Sequence, residues 1–299
     1  MNTKNLVFAS MMTALAVILS VIGLFVPVLF FTAFLIPVPI IIATVKSGRM
    51  YGFLSTIVIF LINLIISDII TALILAGFCL IGLIIGYFID KNHCGEDTVK
   101  ETSIISLFIL IFALYVLKAF KINVIENILD LFSKTNSEVI SFYSKTANLA
   151  SVKDIFSTIE EMMRISVPSA IIIFIIILVL VNYIFASKIL KMQGINVSEL
   201  PHFQEWRMPY ITGWVFIGAL LYNYFWTYDI ISSNIIILLA TGFTISGLAF
   251  VKYYLTNKLN IKAAVSTVIL ILLLLIPIGS YLLILIGIVD TGMNLRRFS

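Results

Sequence analysis

Nine stretches of seventeen to twenty-seven residues carry almost no charge and follow one another with mostly short polar turns between them. They are 6–26, 28–45, 50–67, 69–89, 103–120, 167–186, 210–228, 235–251 and 263–289. About 20 apolar residues is what an α-helix needs to cross a hydrocarbon core of roughly 30 Å. Water offers no refuge for so much apolar side chain, because a soluble protein of about 300 residues buries only about 75% of its extended surface. Here 61% of residues are hydrophobic and 11% charged, against roughly 45–50% and about 25% in ordinary soluble domains. The runs exceed the roughly 10 residues of a barrel strand and lack its polar alternation. The expected fold is therefore all-α, a polytopic transmembrane helix bundle of about nine spans whose first partner is the lipid bilayer.

Orientation follows from where lysine and arginine fall in the short turns. One set of alternate turns holds Lys46, Arg49, Lys91, Lys100, Lys188, Lys191, Arg207, Lys252, Lys258 and Lys262; the opposite turns at Pro27, Ser67-Asp68 and 229–234 hold none. This places the N-terminus in the cytoplasm. The run at 6–26 is longer than a signal-peptide core of about 7–15 residues, and more spans follow at once, so it reads as an uncleaved first helix. The 263–289 run is broken at Pro277-Ile278-Gly279, and is either one long crossing or a short hairpin that returns the tail to the cytoplasm.

One insertion interrupts the pattern. From Lys121 to Arg164 five basic residues meet six acidic ones, and apolar residues repeat at helical spacing at Ile125, Ile128, Leu129 and Phe132, and again at Val152, Ile155, Phe156, Ile159 and Met163. Ser151 with Asp154 has the form of a capping box. Three divisions follow: a helix bundle over 1–120, an external amphipathic helical insertion over 121–166, and C-terminal transmembrane helices over 167–299.

Chemistry is sparse. GxxxxGK[ST], GxSxG and HExxH are all absent, so an enzyme is not expected, nor a metal site or other cofactor. Cys79 and Cys94 form no CxxC pair. A net charge of +4, without a basic cluster, excludes a nucleic-acid partner. Ionisable groups avoid mid-span. Asp68 lies at an outer turn near Asn63, where an importer would present polar groups to an entering solute. Pro37-Val38-Pro39 interrupts the second run and frees backbone carbonyls that protein or water must meet. Asn63, Asp68, Pro37 and Pro39 are therefore the candidate pocket residues. Asn182 is a buried polar side chain suited to bonding across helices. Gly82 and Gly86 form a GxxxG, and Ser10 with Ala14 a small-xxx-small pair, suited to close packing on another helix or a partner. Trp206 and Trp226 stand about 30 Å apart if the chain between them is helical, the spacing of an anchoring belt.

Val167-Pro168-Ser169-Ala170, Asn182-Tyr183, Ala186-Ser187-Lys188-Ile189-Leu190 and the stretch from Leu200 to Pro209 resemble the YybS-type family of bacterial integral membrane proteins. Trp206-Arg207-x-Pro209 is the most specific element. Gly247, and a tail of Gly287, Asp290, Arg296 and Arg297, are similar to that family's closing pattern. The likeness implies a bacterial plasma-membrane location but no activity.

The first ninety residues carry a second, fainter likeness. The small-residue first helix, the Pro37–Pro39 pair, the turn from Lys46 to Gly52, and Gly77, Gly82 and Gly86 resemble the substrate-binding S components of energy-coupling-factor vitamin importers. That likeness implies a six-helix protein that captures a small molecule from outside, with a scaffold subunit and ATPase subunits as partners and the first helix facing the scaffold. This chain departs in having more spans and the insertion. The expected role is small-molecule binding or transport; the alternative is a membrane scaffold recruiting partners through its cytoplasmic loops, 188–209 above all.

Overall fold

The computed structural model describes residues 3–143, 149–226, 229–293 and 295–296, and every described element is helical. Two compact units are formed: one from Met1–Val124 with Phe174–Leu200, the other from Ile125–Ile173 with Pro201–Ser299. These differ from the divisions at 120 and 166 expected from sequence. Proximity in space, which the linear apolar pattern does not carry, groups residues 174–200 with the N-terminal helices.

The first unit contains α1 (Thr3–Phe25), a 3-10 segment (Pro27–Leu35), α2 (Pro37–Ser47), α3 (Arg49–Ile66), α4 (Ile69–Asp90) and α5 (Gly95–Ala119). The second part of a long later helix completes it. The second apolar run is thus discontinuous. Proline at the first helical position already has the right φ and lacks only an N–H that would be orphaned anyway, so Pro37 starts α2 rather than kinking one helix. Every residue from Ile36 to Thr44 is buried, making α2 the centre of the unit. It sits against glycines: a Cβ at Gly82 would lie 2.6 Å from the Pro37 carbonyl oxygen, and one at Gly86 2.7 Å from Thr44 Cβ. The GxxxG therefore packs within this chain. On α1 the inward face is Ala9, Thr13, Ala16 and Ser20, while Ser10 and Ala14 face outward. Ala16, Ala33, Ile36, Ile40, Ile59, Leu75 and Cys79 form one apolar core.

The second unit begins with α6 (Val124–Tyr143) and the first part of α7 (Leu149–Met192), then holds α8 (Tyr210–Phe225), α9 (Ile230–Tyr253), α10 (Ala263–Leu275) and α11 (Pro277–Met293). Helices form where the insertion's periodicity predicts them. The second is not separate, however, but runs on as α7 through Pro168. The side chains of Ile128, Phe132, Val152 and the Ser151–Asp154 pair lie outside the described residues.

Among the described residues, seven helices are long and apolar enough to cross a membrane, or up to eight with the pair α10 and α11, which bends by 110° at Ile276. The segment expected at 210–228 is the difference from nine: α8 has only 16 residues. Pro209 at its N-cap sets its start and Trp226, with non-helical φ and ψ, its end. The run at 263–289 is thus broken where Pro277-Ile278-Gly279 predicts, a bend compatible with a broken span or a re-entrant hairpin.

Close approach organises the second unit too. A Cβ at Gly247 would lie 2.1 Å from the Leu283 carbonyl oxygen, and one at Gly287 2.1 Å from that of Phe243. Only glycine lets α9 and α11 touch backbone to backbone there.

Candidate functional site

Two sets of buried polar groups stand out, one in each unit. The charged set is in the second. Asp290, on α11, and Arg296, three residues beyond that helix, are both fully buried. Arg296 donates from Nε and Nη2 to Asp290 Oδ2 at 3.0 and 2.6 Å. Its Nη1 donates to the Gln204 carbonyl at 2.5 Å and Nη2 to the Trp206 carbonyl at 2.8 Å. A second arginine shares the carboxylate, with Arg207 Nε 3.5 Å from Asp290 Oδ2. Arg207 Nη2 also donates to the Arg296 carbonyl at 3.3 Å.

The stretch 203–208 is held against α9 so that its carbonyls face this guanidinium. Gln204 Nε2 donates to Thr256 Oγ1, Lys252 lies over the Phe203 ring, and Met208 fills the space beside Gly242. Trp206 Nε1 donates to the Pro201 carbonyl. Trp206 therefore belongs to this packed loop rather than to a helical belt paired with Trp226. Pro209 holds the N-cap position of α8 and its carbonyl accepts from Thr212. The expected motif residues Trp206, Arg207, Asp290 and Arg296 thus meet in one place, with Pro209 adjoining; Arg297 lies outside the described residues.

Fork-shaped guanidinium donors, two of them on a carboxylate and two on carbonyls, fix position as well as charge. With each of its nitrogens engaged, Arg296 ties the tail and the 203–208 loop to α11. This arrangement is a clasp; of the Asp290 carboxylate it engages Oδ2, while Oδ1 has no hydrogen-bond partner among the described residues.

Sequence reasoning missed a second device in this unit. Pro168 interrupts the α7 backbone ladder, and Asn234 inserts into the gap: its Oδ1 accepts from Ser169 N–H at 2.8 Å and its Nδ2 donates to the Ile165 carbonyl at 2.8 Å. Those are the two groups that an unbroken helix would join directly. The signal was a proline inside an apolar run, which demands an outside donor and acceptor.

The neutral set is in the first unit. Asn182 Nδ2 donates at 2.9 Å to the Phe34 carbonyl, in the 3-10 segment just before the break at Pro37, and at 2.8 Å to that of Leu178. Its Oδ1 is buried with no hydrogen-bond partner among the described residues, and so is Oδ1 of Asn63, whose Nδ2 donates to the Ile59 carbonyl. Ile59, which accepts from Asn63, belongs to the apolar core of this unit. Asp68 does different work. It N-caps α4, accepting from Ile70 N–H, Thr71 N–H and the Thr71 hydroxyl. The Thr71 hydroxyl, foremost, holds its carboxyl below the ordinary value of 3.8. Of the four expected pocket residues, Pro37 and Pro39 shape α2, Asn63 borders the core and Asp68 stands exposed at the turn. None lines either of two surface grooves of this unit, one bounded by Val45, Asp90 and Asn196 among others and one by Arg49, Tyr87 and Ile105 among others. Among the described residues, no three of His, Cys, Asp and Glu gather as a metal site.

Apolar helices of spanning length, following one another along the chain, define the class: a polytopic, all-helical membrane protein. Residues 14–291 match the family described as predicted membrane protein (DUF2232), and the chain belongs to it. No curated protein and no solved structure matches the chain.

Proposed function

We propose that the protein is a small-molecule-binding component of a bacterial plasma-membrane transport system, with its N-terminus cytoplasmic and its binding centre in the first unit. The observation that carries this reading is the discontinuous second span, bonded at the Phe34 carbonyl by Asn182, together with two buried amide oxygens in the same unit, of Asn63 and Asn182, that have no partner among the described residues. An orphaned buried acceptor costs about 1–3 kcal/mol, and broken helices in transporters are where solutes bind. An importer-like S component has six helices. Here α1, the second span, α3, α4, α5 and the second part of α7 make six in one unit. Of the residues that carry the resemblance to YybS-type proteins, Asn182 and Tyr183 lie in this unit, while Trp206, Arg207, Asp290 and Arg296 lie in the other, where they form the clasp.

Loop engagement also weighs in this direction. A recruiting loop presents its recognisable side chains to a partner. Within the first unit, however, Tyr183 donates to the Ser198 carbonyl and Lys191 pairs with Glu199. In the second unit, the groups of Gln204, Trp206 and Arg207 are taken by the clasp. The scaffold reading keeps one observation of its own, the exposed apolar residues Ile155 and Ile159 on α7.

The test is gentle purification of the full chain, identification of what co-purifies, and a thermal-stability screen of vitamins, metals and lipids. A native-state ligand at 100 times its Kd stabilises by about 2.7 kcal/mol. The expected result is stabilisation by one soluble class, lost in Asn63→Leu and Asn182→Leu, with an ATPase pair in the eluate. A chain indifferent to every soluble compound and free of ATPases overturns the proposal.

A further inference from the structure

The first unit carries a feature that the amide pair leaves unused. Arg49, Met50, Phe53, Leu83, Tyr87 and Ile105 are among the residues bounding an open groove of about 490 Å³ between α3, α4 and α5. That volume lies within the range of about 300–1,000 Å³ typical of sites for one small ligand. Its wall is apolar except at one end, where the Arg49 guanidinium lies 4.5 Å from the centre of the Tyr87 ring and pairs with Asp90. Both Arg49 and Asp90 keep substantial exposure, so the guanidinium still faces outward. Arg49 is also the first residue of α3, which has no side-chain cap and no acidic residue in its first turn. The positive end of the helix dipole and a cation therefore coincide, an arrangement that favours an anion alongside.

We propose that this groove holds one acyl chain of an anionic phospholipid whose phosphate sits at Arg49 and the start of α3. Three observations select this occupant. The groove opens from helices of spanning length, so hydrocarbon is what surrounds it. The polar end coincides with the ends of α3 and α4, where a headgroup would lie. Arg49 gives Nε and Nη2 to Asp90 Oδ2, so a phosphate at that end shares the guanidinium with Asp90 through its remaining nitrogen and draws on the start of α3 for the rest.

The experiment is native mass spectrometry of the full-length protein, delipidated and then titrated with phosphatidylglycerol or phosphatidylcholine of identical chains, with glycerol phosphate as the soluble control. The expected result is at least tenfold tighter binding of one phosphatidylglycerol, a preference reduced to within twofold in Arg49→Gln and restored in part in Arg49→Lys. Filling the groove with Ile84→Trp weakens both lipids. Circular dichroism and melting of each delipidated variant, matched to the parent, report folding independently. Equal binding of the two lipids by the parent overturns the proposal, as does a preference untouched by Arg49→Gln, or protection by glycerol phosphate equal to that by the lipid. Stabilisation by vitamins or metals is read separately, so failure here leaves the transport reading standing and failure there leaves this one.

Discussion

The two units face the same problem, a helix broken by proline inside an apolar environment, and both answer it with asparagine. In the first, Asn182 meets the Phe34 carbonyl before Pro37; in the second, Asn234 bridges Ser169 and Ile165 at Pro168. They part in what else they bury. The first unit keeps its polar interior neutral and leaves the amide oxygens of Asn63 and Asn182 unmet; the second buries Asp290 and Arg296 completely, wires Arg296 to two backbone carbonyls, and leaves Asp290 Oδ1 without a hydrogen-bond partner among the described residues. Both units therefore keep an open acceptor, but in the first it is a neutral amide and in the second a carboxylate oxygen held beside two arginines.

The sharpest way to break this contrast is to remove one side of the clasp. Asp290→Asn or Asp290→Ala leaves a buried guanidinium without its counter-charge, with an expected loss of about 3–5 kcal/mol. Thermal unfolding of the purified full chain in detergent reads this as a large drop in Tm. Asp290→Ala combined with Arg296→Met recovers much of the loss, and its failure to do so would show that the carbonyl contacts of Arg296 matter more than the charge pair.

Glycine packing comes next. Gly287→Ala drives a methyl into the Phe243 carbonyl and Gly82→Ala into that of Pro37, each expected to cost about 1–3 kcal/mol by overpacking. Comparable Tm losses in the two variants would mean that both units depend on the same close-packing device. Removing the bridging amides should cost less. Asn182→Leu and Asn234→Leu are each expected to lose about 1 kcal/mol, since hydrogen bonds within membranes average about 0.6 kcal/mol with a maximum of about 1.7. Asn234→Leu should be the larger, because it strands an N–H and a carbonyl together; the reverse order would undo the assignment of Asn234 as the repair at Pro168.

The smallest effect is at Asp68. Its carboxyl is held below 3.8, chiefly by the Thr71 hydroxyl, so its contribution is present above that pH and fades as pH falls below it. Asp68→Ala should lower Tm slightly at neutral pH and by progressively less as the pH falls below 3.8, measured side by side with the parent. A pH-independent difference would place its effect elsewhere than in the cap.

Much of the fold was readable in advance because a bilayer imposes a length and a polarity on each crossing independently of its neighbours. The run at 69–89 corresponds to α4 almost residue for residue, as 6–26 does to α1. The run at 210–228 misled, since its aromatic flanks suggested a belt, whereas Pro209 and Trp226 cut the helix to 16 residues. In the site, Trp206, Arg207, Asp290 and Arg296 could be singled out one by one, but nothing in their spacing says that a loop and a tail some 85–90 residues apart close on each other. Asn234 escaped notice because it stands at the edge of an apolar run and looks like a boundary. Gly82 and Gly86 were legible as a close-packing pair, but not with α2 as the helix they receive.

Hydrophobic length and the distribution of charge are properties of each segment alone, so the solvent, the helical class and the approximate spans follow from the order of residues. Which helix fills a glycine notch, which amide reaches a freed carbonyl, and which arginine finds the buried Asp290 carboxylate all depend on contacts between distant segments. Those were decided only by the tertiary structure, because desolvated polar groups are strongly selective about geometry while apolar ones are content with any dry neighbour.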